Sequence, residues 1–317
     1  MSELEQRIAI LGATGHVGKV LTSGLAAAGR HEVVAVARDE AKLDRFLATL
    51  PHCGGVERES FERTAGDYDV VINCVGIGDP AGVTTSGATI LQLTEQFDEH
   101  VTGYLDIRPE ARVISFSSGA AYLGDFEEPV SESSLAAVPI NGIRRTDYYG
   151  IAKLASEARH RGAADRAIVD LRLFGLFSRF IDPLASYFMN DVYRAIAQKA
   201  PLEVGPESIH RDYVDPDDLV ALVTTIIDAP PTNDVYDVYS LAPAEKFELL
   251  DDFASRYGLS YHVRQDPTMP AATGVKPYYY STNRRASGSG YLPTKTSIQS
   301  LTKEIDALLE TRNDGAL

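Results

Sequence analysis

The sequence is poor in cysteine and has no long uninterrupted apolar segment. Its 317 residues include two cysteines, Cys53 and Cys74, which are too few for a disulfide framework and lack the spacing of a metal site. Cys74 lies inside an apolar run, so we expect a buried, reduced thiol there. No stretch approaches the roughly 18 apolar residues of a membrane span, and the start MSELEQRIAILG lacks a basic region followed by a long apolar one. These absences predict a cytoplasmic chain with no membrane partner.

Positive charge is in the minority. There are 30 Lys and Arg residues against 45 Asp and Glu, which gives a formal net charge of −15 and a pI near 4.9. Such a balance argues against a broad nucleic-acid surface, although a phosphorylated small ligand needs only a local positive site. The hydrophobic fraction of 44% and the charged fraction of 24% are those of globular proteins and exclude a disordered or fibrous chain.

Apolar runs alternate with helical patterns over the first half of the chain. This alternation predicts an α/β fold with a Rossmann-like, doubly wound parallel sheet and a smaller, mixed C-terminal portion. We assign residues 1–174 to a dinucleotide-binding domain and residues 175–317 mainly to substrate binding, with some segments returning to the first domain. No strand is placed between Gly54 and Gly66. The predicted strands are Arg7–Leu11, Glu32–Ala37, Asp69–Val75, Arg112–Phe116 and Ala167–Leu173, and the predicted helices are His16–Ala28, Asp39–Leu50, Leu91–Leu105, Asp147–Arg161 and Ser297–Leu309.

A glycine-rich motif, GATGHVG at residues 12–18, follows the first strand and opens the first helix. Glycines there let the backbone turn tightly and approach a pyrophosphate, and the helix start offers free N–H groups. The alternative is a turn that needs glycine for packing alone. We expect His16 to be a solvent-facing residue at the helix start, without a catalytic role. The residues predicted to line the dinucleotide are Gly12, Thr14, Gly15, His16, Val17 and Gly18.

A tyrosine and a lysine, Tyr149 and Lys153, lie four residues apart in a predicted helix and therefore share one face. A free phenol has a pKa of about 10, and a nearby cation lowers the pKa of a phenol, so this pair is suited to acid–base chemistry. The same spacing recurs at Tyr291 and Lys295, but Pro293 interrupts any helix there, so we treat that pair as chance.

Two serines and a glycine, Ser117, Ser118 and Gly119, follow a predicted buried strand. Ligands of open α/β sheets bind beyond the carboxyl ends of the strands. A hydroxyl group at that place can hydrogen-bond a reacting carbonyl or alkoxide oxygen. In isolation the segment would be interpreted as a simple turn, and the catalytic interpretation depends on the glycine motif and the Tyr149–Lys153 helix.

These motifs together resemble the extended short-chain dehydrogenase/reductase family, of the NAD-dependent epimerase/dehydratase type that modifies nucleotide sugars. The resemblance is carried by GATGHVG at 12–18, DVVINCVG ending at Gly76, SSGAAY at 117–122, YGIAK at 149–153 and RDYVDPDDL at 211–219. It implies that Ser118, Tyr149 and Lys153 are catalytic and that Val75 and Gly76 line the cofactor. We expect Tyr149 and Lys153 to contact the cofactor as well, and the protein to be a homodimer. Ser118, Gly119 and Arg211 would contact the substrate, with Arg211 on its phosphate.

Two departures from the family pattern narrow the chemistry. Gly175 stands where the family often has an asparagine after the sixth strand, which affects the expected sugar-diphosphate contacts. Gly119 and Ala120 stand where dehydratases of the family carry an Asp-Glu pair. Without those carboxylates an elimination has no evident acid and base, so a dehydratase is not expected.

The cofactor prediction depends on the end of the second strand. An arginine there accommodates a 2′-phosphate, whereas an acid binds the ribose 2′-hydroxyl. Arg38 lies nearest the strand end and favours NADP, with NAD possible because Asp39 follows directly. Arg38 as a solvated helix-start residue is the alternative. The acidic run from Asp215 to Asp218 is interpreted as a helix start, with Asp215 as its cap, and we predict no metal site.

Two classes of function fit these observations. The first is hydride transfer at a sugar carbon of a nucleotide-activated sugar, by a 4-ketoreductase or an epimerase. The second is an NADP-sensing regulator without catalysis on the same fold, which would have no need for the Tyr149–Lys153 pair. Arg211 also has two interpretations, because it either binds the substrate diphosphate or pairs with Asp212 or Asp215 to hold its loop.

Overall fold

The computed structural model describes residues 5–50, 56–60, 67–76, 80–264 and 276–313. In chain order its strands are β1 (Arg7–Leu11), β2 (Glu32–Ala37), β3 (Val56–Ser60), β4 (Val70–Asn73), β5 (Arg112–Ser118), β6 (Ala167–Leu173), β7 (Leu202–Val204), β8 (His210–Arg211), β9 (Asp234–Asp237), β10 (Ala244–Glu245), β11 (Tyr261–Val263) and β12 (Tyr278–Tyr279). Its α-helices are α1 (His16–Ala28), α2 (Glu40–Leu47), α3 (Pro80–Ser86), α4 (Thr89–Ile107), α5 (Tyr148–Gly162), α6 (Phe188–Gln198), α7 (Pro216–Asp228), α8 (Lys246–Tyr257) and α9 (Ser297–Asn313).

Seven parallel strands form the large sheet, in the order β3-β2-β1-β4-β5-β6-β9. The strand order reverses direction between β1 and β4, which creates the crevice where ligands of such sheets bind. Two small sheets, β10-β8-β12 and β11-β7, are built mainly from the C-terminal half. This arrangement confirms the predicted Rossmann-like sheet with a smaller mixed portion.

The large sheet is covered on both faces, as the continuous apolar strands require. In β1, Ile8 and Ile10 belong to the hydrophobic cluster on one face, while Ala9 and Leu11 belong to the cluster on the other. A separate cluster packs α6, α8 and α9 together in the C-terminal half. Helix α7 and strand β9 return from that half to the large sheet. Close packing of α7 on α1 requires Gly24, because a Cβ there would lie 2.4 Å from a methyl group of Val220.

Most predicted elements are present, with differences at their ends. Helix α1 has the predicted bounds, and Gly29 ends it in the left-handed conformation at φ 64°. Asp147 occupies the N-cap position of α5, but its carboxylate accepts a hydrogen bond from the Arg144 backbone N–H instead of capping the helix. Strand β3 fills the region where no strand was predicted, and helix α3 was also missed.

Of the two cysteines, the structure describes Cys74. Cys74 is a free thiol, partly buried, and burial raises its pKa, which keeps it protonated at neutral pH. Cys53 lies outside the described residues. Within the described part of the chain, no helix has the length and apolar character needed to cross a bilayer.

Candidate active site

The glycine loop brings the start of α1 close to the ends of β1 and β4. Gly12 has φ 77°, and a Cβ on it would lie 3.2 Å from the Cys74 carbonyl group. A Cβ on Gly18 would lie 2.2 Å from the Gly12 carbonyl oxygen, so only glycine fits there. Gly15, by contrast, is exposed. Helix α1 has no side-chain cap and no acid in its first turn, which leaves its N–H groups for an anion.

The three side chains in this loop differ in their surroundings. Thr14 is partly buried in the loop, and Val17 packs on the core. His16 does not face solvent as predicted, because the segment after β6 folds over the start of α1. Its Nε2 lies 2.7 Å from Oγ of Ser178, and burial together with Lys19 lowers the pKa of His16 to about 3. His16 is therefore a neutral residue that joins the glycine loop to the C-terminal half.

The carboxyl edge of the sheet brings the next predicted residues together. A methyl group of Val75 lies 3.3 Å from the Cβ position of Gly12, next to the glycine loop. The Nζ atom of Lys153 lies 3.6 Å from the Cβ position of Gly76, so the ammonium group is next to this glycine. Lys153 itself is buried and donates to the carbonyl oxygen of Phe116 at 2.7 Å. These contacts place the lysine beside the predicted cofactor crevice.

Ser118, the last residue of β5, is close to the start of α5. Its Oγ accepts a hydrogen bond from the Ala120 backbone N–H at 3.2 Å. A Cβ on Gly150 would lie 2.3 Å from the Ala120 carbonyl oxygen, so α5 packs directly on the turn that follows Ser118. Tyr149, which precedes Gly150 in the helix, is partly exposed at this edge. The structure thus brings Ser118, Tyr149 and Lys153 to one edge of the sheet.

The neighbours of Ser118 have structural roles. The Ser117 hydroxyl donates to the carboxylate of Glu157, away from Ser118, so the two serines are not equivalent. Gly119 is buried beneath the ring of Phe174, where a Cβ would lie 2.4 Å from a ring carbon. Packing explains this glycine, and its assignment to substrate binding stays a prediction.

Gly175, which departs from the family pattern, also has a packing explanation. A Cβ there would lie 2.5 Å from the carbonyl oxygen of Asp212, in the RDY segment. The backbone of Val214 donates to the Gly175 carbonyl oxygen at 3.1 Å. The close approach of these two segments therefore excludes an asparagine side chain at residue 175.

Arg211 and Lys276 form a cationic cluster beside Ser118 that shares the ring of Tyr279. The Arg211 guanidinium lies 5.7 Å from the centre of this ring, and the Lys276 ammonium lies 4.9 Å from it. Arg211 donates to the carbonyl oxygens of His210 and Lys276. Burial, together with Arg211 and Arg144, lowers the pKa of Lys276 to about 8. Two mutually repelling cations at a site edge suit an anionic ligand.

The alternative partners of Arg211 are engaged elsewhere. Asp212 accepts hydrogen bonds from the Ser240 backbone N–H and the Ser297 hydroxyl. Asp215 caps α7 through the Asp217 N–H, as predicted, and forms an ion pair with Lys303 at 2.9 Å. Pairing of Arg211 with either aspartate, which the sequence left open, is not found.

Sequence reasoning missed Tyr279 and Lys276. The phenol oxygen of Tyr279 lies 3.2 Å from Oγ of Ser118, although the two residues are 161 positions apart. The pairing of β12 with β8 places Tyr279 opposite Arg211. The run of three tyrosines at 278–280 was the only local signal, and it does not indicate which phenol reaches the site.

The remaining predicted residues lie apart from this cluster. Arg38 is exposed directly after β2, and Asp39 caps α2 by accepting from the Lys42 N–H at 2.8 Å. The Tyr291–Lys295 pair is a coincidence of spacing, as expected. The Tyr291 hydroxyl donates to the Tyr239 carbonyl oxygen, whereas Lys295 lies 3.5 Å from Asp215.

Known structures of very similar fold span almost the whole chain. One is MoeE5 in complex with UDP-glucuronic acid and NAD, at 20% identity and a TM-score of 0.76 over 97% of this chain and 99% of that one. A second is the Bacillus cereus UDP-glucuronic acid 4-epimerase with UDP-glucuronic acid and NAD. Its identity is 18% and its TM-score is 0.74, over 96% of this chain and 99% of that one. A third is a Stenotrophomonas maltophila UDP-glucose-4-epimerase with NAD and formylated UDP-arabinopyranose. Its identity is 14% and its TM-score is 0.79, over 98% of this chain and 100% of that one. Similarity at such low identity establishes the fold.

The parallel sheet and the glycine loop define a Rossmann-type α/β protein. The polar residues at the carboxyl edge of the sheet lie at the crevice where such proteins bind ligands. The sequence matches the model of the NAD dependent epimerase/dehydratase family over residues 8–242. The chain therefore belongs to that family, which confirms the resemblance to extended short-chain dehydrogenases/reductases. No curated protein shows a significant match to this sequence.

Proposed function

We propose that this chain is an NAD-dependent epimerase that acts on carbon 4 of the sugar in a nucleotide-activated sugar. The observation that carries the proposal is the placement of Ser118, Tyr149 and Lys153 at one edge of the sheet, beside the glycine loop. The solved structures of similar fold are sugar-nucleotide epimerases or hold UDP-sugars with NAD. The catalytic assignment of the three residues is part of the proposal.

The crevice fits a nicotinamide dinucleotide. The uncapped start of α1 can receive the pyrophosphate, and Gly12, Gly15 and Gly18 let the backbone approach it. Val75, Gly76 and Lys153 would line the nicotinamide side. We propose NAD as the cofactor, because the similar structures contain NAD, and the preference for NADP drawn from Arg38 has no support from them. NAD supplies the acceptor for a hydride when it is bound.

Side chains of this protein would transfer the proton of the sugar 4-hydroxyl and stabilise the charge on the sugar oxygen. Tyr149 would take the proton of the sugar 4-hydroxyl as the carbonyl forms and return it when the opposite epimer is made. The ammonium of Lys153 keeps two of its three hydrogens for other partners after donating to the Phe116 carbonyl oxygen. Ser118 would donate a hydrogen bond to the same sugar oxygen.

The substrate proposal follows from the charges. At a net charge of −15, an anionic substrate is repelled at long range and needs local positive groups. Arg211 and Lys276 provide two such groups around the ring of Tyr279, which contacts Ser118. We propose that Arg211 binds the diphosphate of the nucleotide sugar, since its planar fork matches phosphate oxygens.

The test is conversion of UDP-glucose or UDP-glucuronic acid to the 4-epimer with catalytic NAD. The variant Tyr149→Phe should lower kcat at least about 10²-fold and leave the Kd for NAD unchanged. Tyr148→Phe is the matched control, because Tyr148 is the adjacent residue of the same helix and points elsewhere. Retention of most turnover by Tyr149→Phe would contradict the catalytic assignment.

A parallel assay with NADH and a 4-keto nucleotide sugar, run beside the first, separates the other functions. A 4-ketoreductase would consume NADH in proportion to a 4-keto nucleotide sugar and would not equilibrate epimers. A sensor would bind the dinucleotide and give no turnover with any of these sugars. Either result would overturn the epimerase proposal.

A further inference from the structure

The phenol of Tyr279 contacts Ser118 and has no part in the reaction steps proposed above. Its oxygen lies 3.2 Å from Oγ of Ser118. Its ring packs on Phe126 and Phe174, with ring centres 4.8 and 5.3 Å apart. Tyr149 is close enough to interact with Tyr279 electrostatically. Ser118 and Tyr279 therefore form a pair assembled from both halves of the chain.

The hydrogen bonds of Ser118 can be counted. A hydroxyl group offers two acceptor positions and one hydrogen. One acceptor position of Ser118 is used by the Ala120 N–H at 3.2 Å. If Tyr279 donates to the second position, the serine hydrogen is left for a ligand. The reverse orientation would use the serine hydrogen on the phenol and leave none for the substrate.

The surroundings of Tyr279 favour the first orientation. Burial raises the pKa of Tyr279 to about 12, so the phenol keeps its proton at neutral pH and can donate it. The Ala120 N–H is directed at Oγ of Ser118, so it fills an acceptor position of the serine. The neighbours Phe126 and Phe174 are apolar, so Ser118 is the partner that the geometry provides for the phenol hydrogen.

We infer that Tyr279 is a positioning residue for the sugar reaction, whose phenol donates to Oγ of Ser118 and leaves the serine hydrogen for the sugar oxygen. This inference rests on the proposed function. The packed ring fixes the donor before substrate binds, so Ser118 needs no reorientation during the reaction. Tyr279 forms no covalent bond and moves no proton to the substrate, because it acts through Ser118.

The variant Tyr279→Phe tests this inference because it removes one oxygen and keeps the ring. We expect kcat for epimerisation to fall about three- to tenfold, the range for loss of one hydrogen bond. KM for the nucleotide sugar, Kd for NAD and the melting temperature should stay near the wild-type values. Tyr278→Phe is the matched control, since Tyr278 stacks on His210 with ring centres 4.9 Å apart and should keep wild-type kcat.

A double-mutant cycle separates positioning from packing. In the Ser118→Ala background, Tyr279→Phe should cause no further loss, because the hydroxyl that it positions is gone. An equal loss in both backgrounds would mean that Tyr279 acts independently of Ser118, and the inference would be wrong. A wild-type kcat in Tyr279→Phe alone would also overturn it while leaving the proposed function intact. Wild-type protein without epimerase activity would overturn the proposed function and this inference together.

Discussion

The cations buried near the large sheet differ from those beside the small sheet of β8, β10 and β12 in what surrounds them. Near the large sheet, His160 lies between Asp98 at 2.7 Å and Asp170 at 2.8 Å. Arg172 forms an ion pair with Glu157 at 2.6 Å. Each of these cations is matched by a carboxylate that is itself buried. Such pairs hold α4, α5, β6 and the sheet together.

Beside the small sheet, Arg211 and Lys276 form no ion pair with any carboxylate that the structure describes. Arg211 donates to main-chain carbonyl oxygens, and tyrosines are the groups that favour its charge. Lys276 is repelled by Arg211 and Arg144 more strongly than it is attracted by Asp147 and Asp125. A cation without a carboxylate costs stability when it is buried, and under the proposed function the anionic substrate supplies the negative charge. The comparison therefore separates cations paired with buried carboxylates from cations that we propose bind the substrate.

Breaking the Arg172–Glu157 pair should give the largest effect. Arg172→Met leaves a buried carboxylate without its partner, which costs about 3–5 kcal/mol of unfolding free energy. Arg256→Met is the control, because Arg256 pairs with Asp252 on the surface of α8 and its loss should change the unfolding free energy far less. Urea denaturation measures both. A small loss for Arg172→Met would mean that paired and unpaired cations do not differ as described.

The His160 pairs predict a loss of stability at high pH. Although burial opposes it, the hydrogen bond to Asp170 and the negative charges of Asp170 and Asp98 raise the pKa of His160 from 6.5 to about 9. Because the folded-state pKa is raised, the stabilisation is fully present below pH 6.5 and is lost as the pH rises through 9. The difference corresponds to about 3 kcal/mol. His160→Gln should abolish this dependence between pH 6.5 and 9 in urea denaturation. An unchanged pH dependence in the variant would assign it to other groups.

The nucleotide-binding side was predictable because its determinants are consecutive in the chain. The apolar runs, the glycine spacing and Gly29 predicted β1, the loop and α1 with correct bounds. The i, i+4 rule likewise predicted that Tyr149 and Lys153 share a helix, which the structure confirms. The solvent-facing prediction for His16 was wrong because its partner, Ser178, is 162 residues away and leaves no local signal.

The substrate side was less predictable because long-range contacts assemble it. Tyr279 reaches Ser118 through the pairing of two-residue strands, which are too short for a periodic pattern. The glycine at 175 is explained only by the nearby Asp212 carbonyl oxygen, which no motif indicates. The bounds of β8 and β12 are set by tertiary packing, so sequence alone identified Arg211 through resemblance and did not identify Lys276.

The smallest predicted effect, and the one that sharpens the comparison most, concerns Arg211. If its charge is kept for a diphosphate, Arg211→Ala should raise KM for a nucleotide sugar about tenfold, which corresponds to about 1.4 kcal/mol of binding free energy. The Kd for NAD should stay within about twofold, and the unfolding free energy should fall by less than in Arg172→Met, because two carbonyl oxygens lose a donor but no carboxylate is left unpaired. Steady-state kinetics, NAD titration and urea denaturation measure the three quantities. The rise in KM should shrink as salt increases, since ions screen the attraction between guanidinium and phosphate. A loss of stability with unchanged KM would instead place Arg211 with Arg172, among the cations that hold the fold.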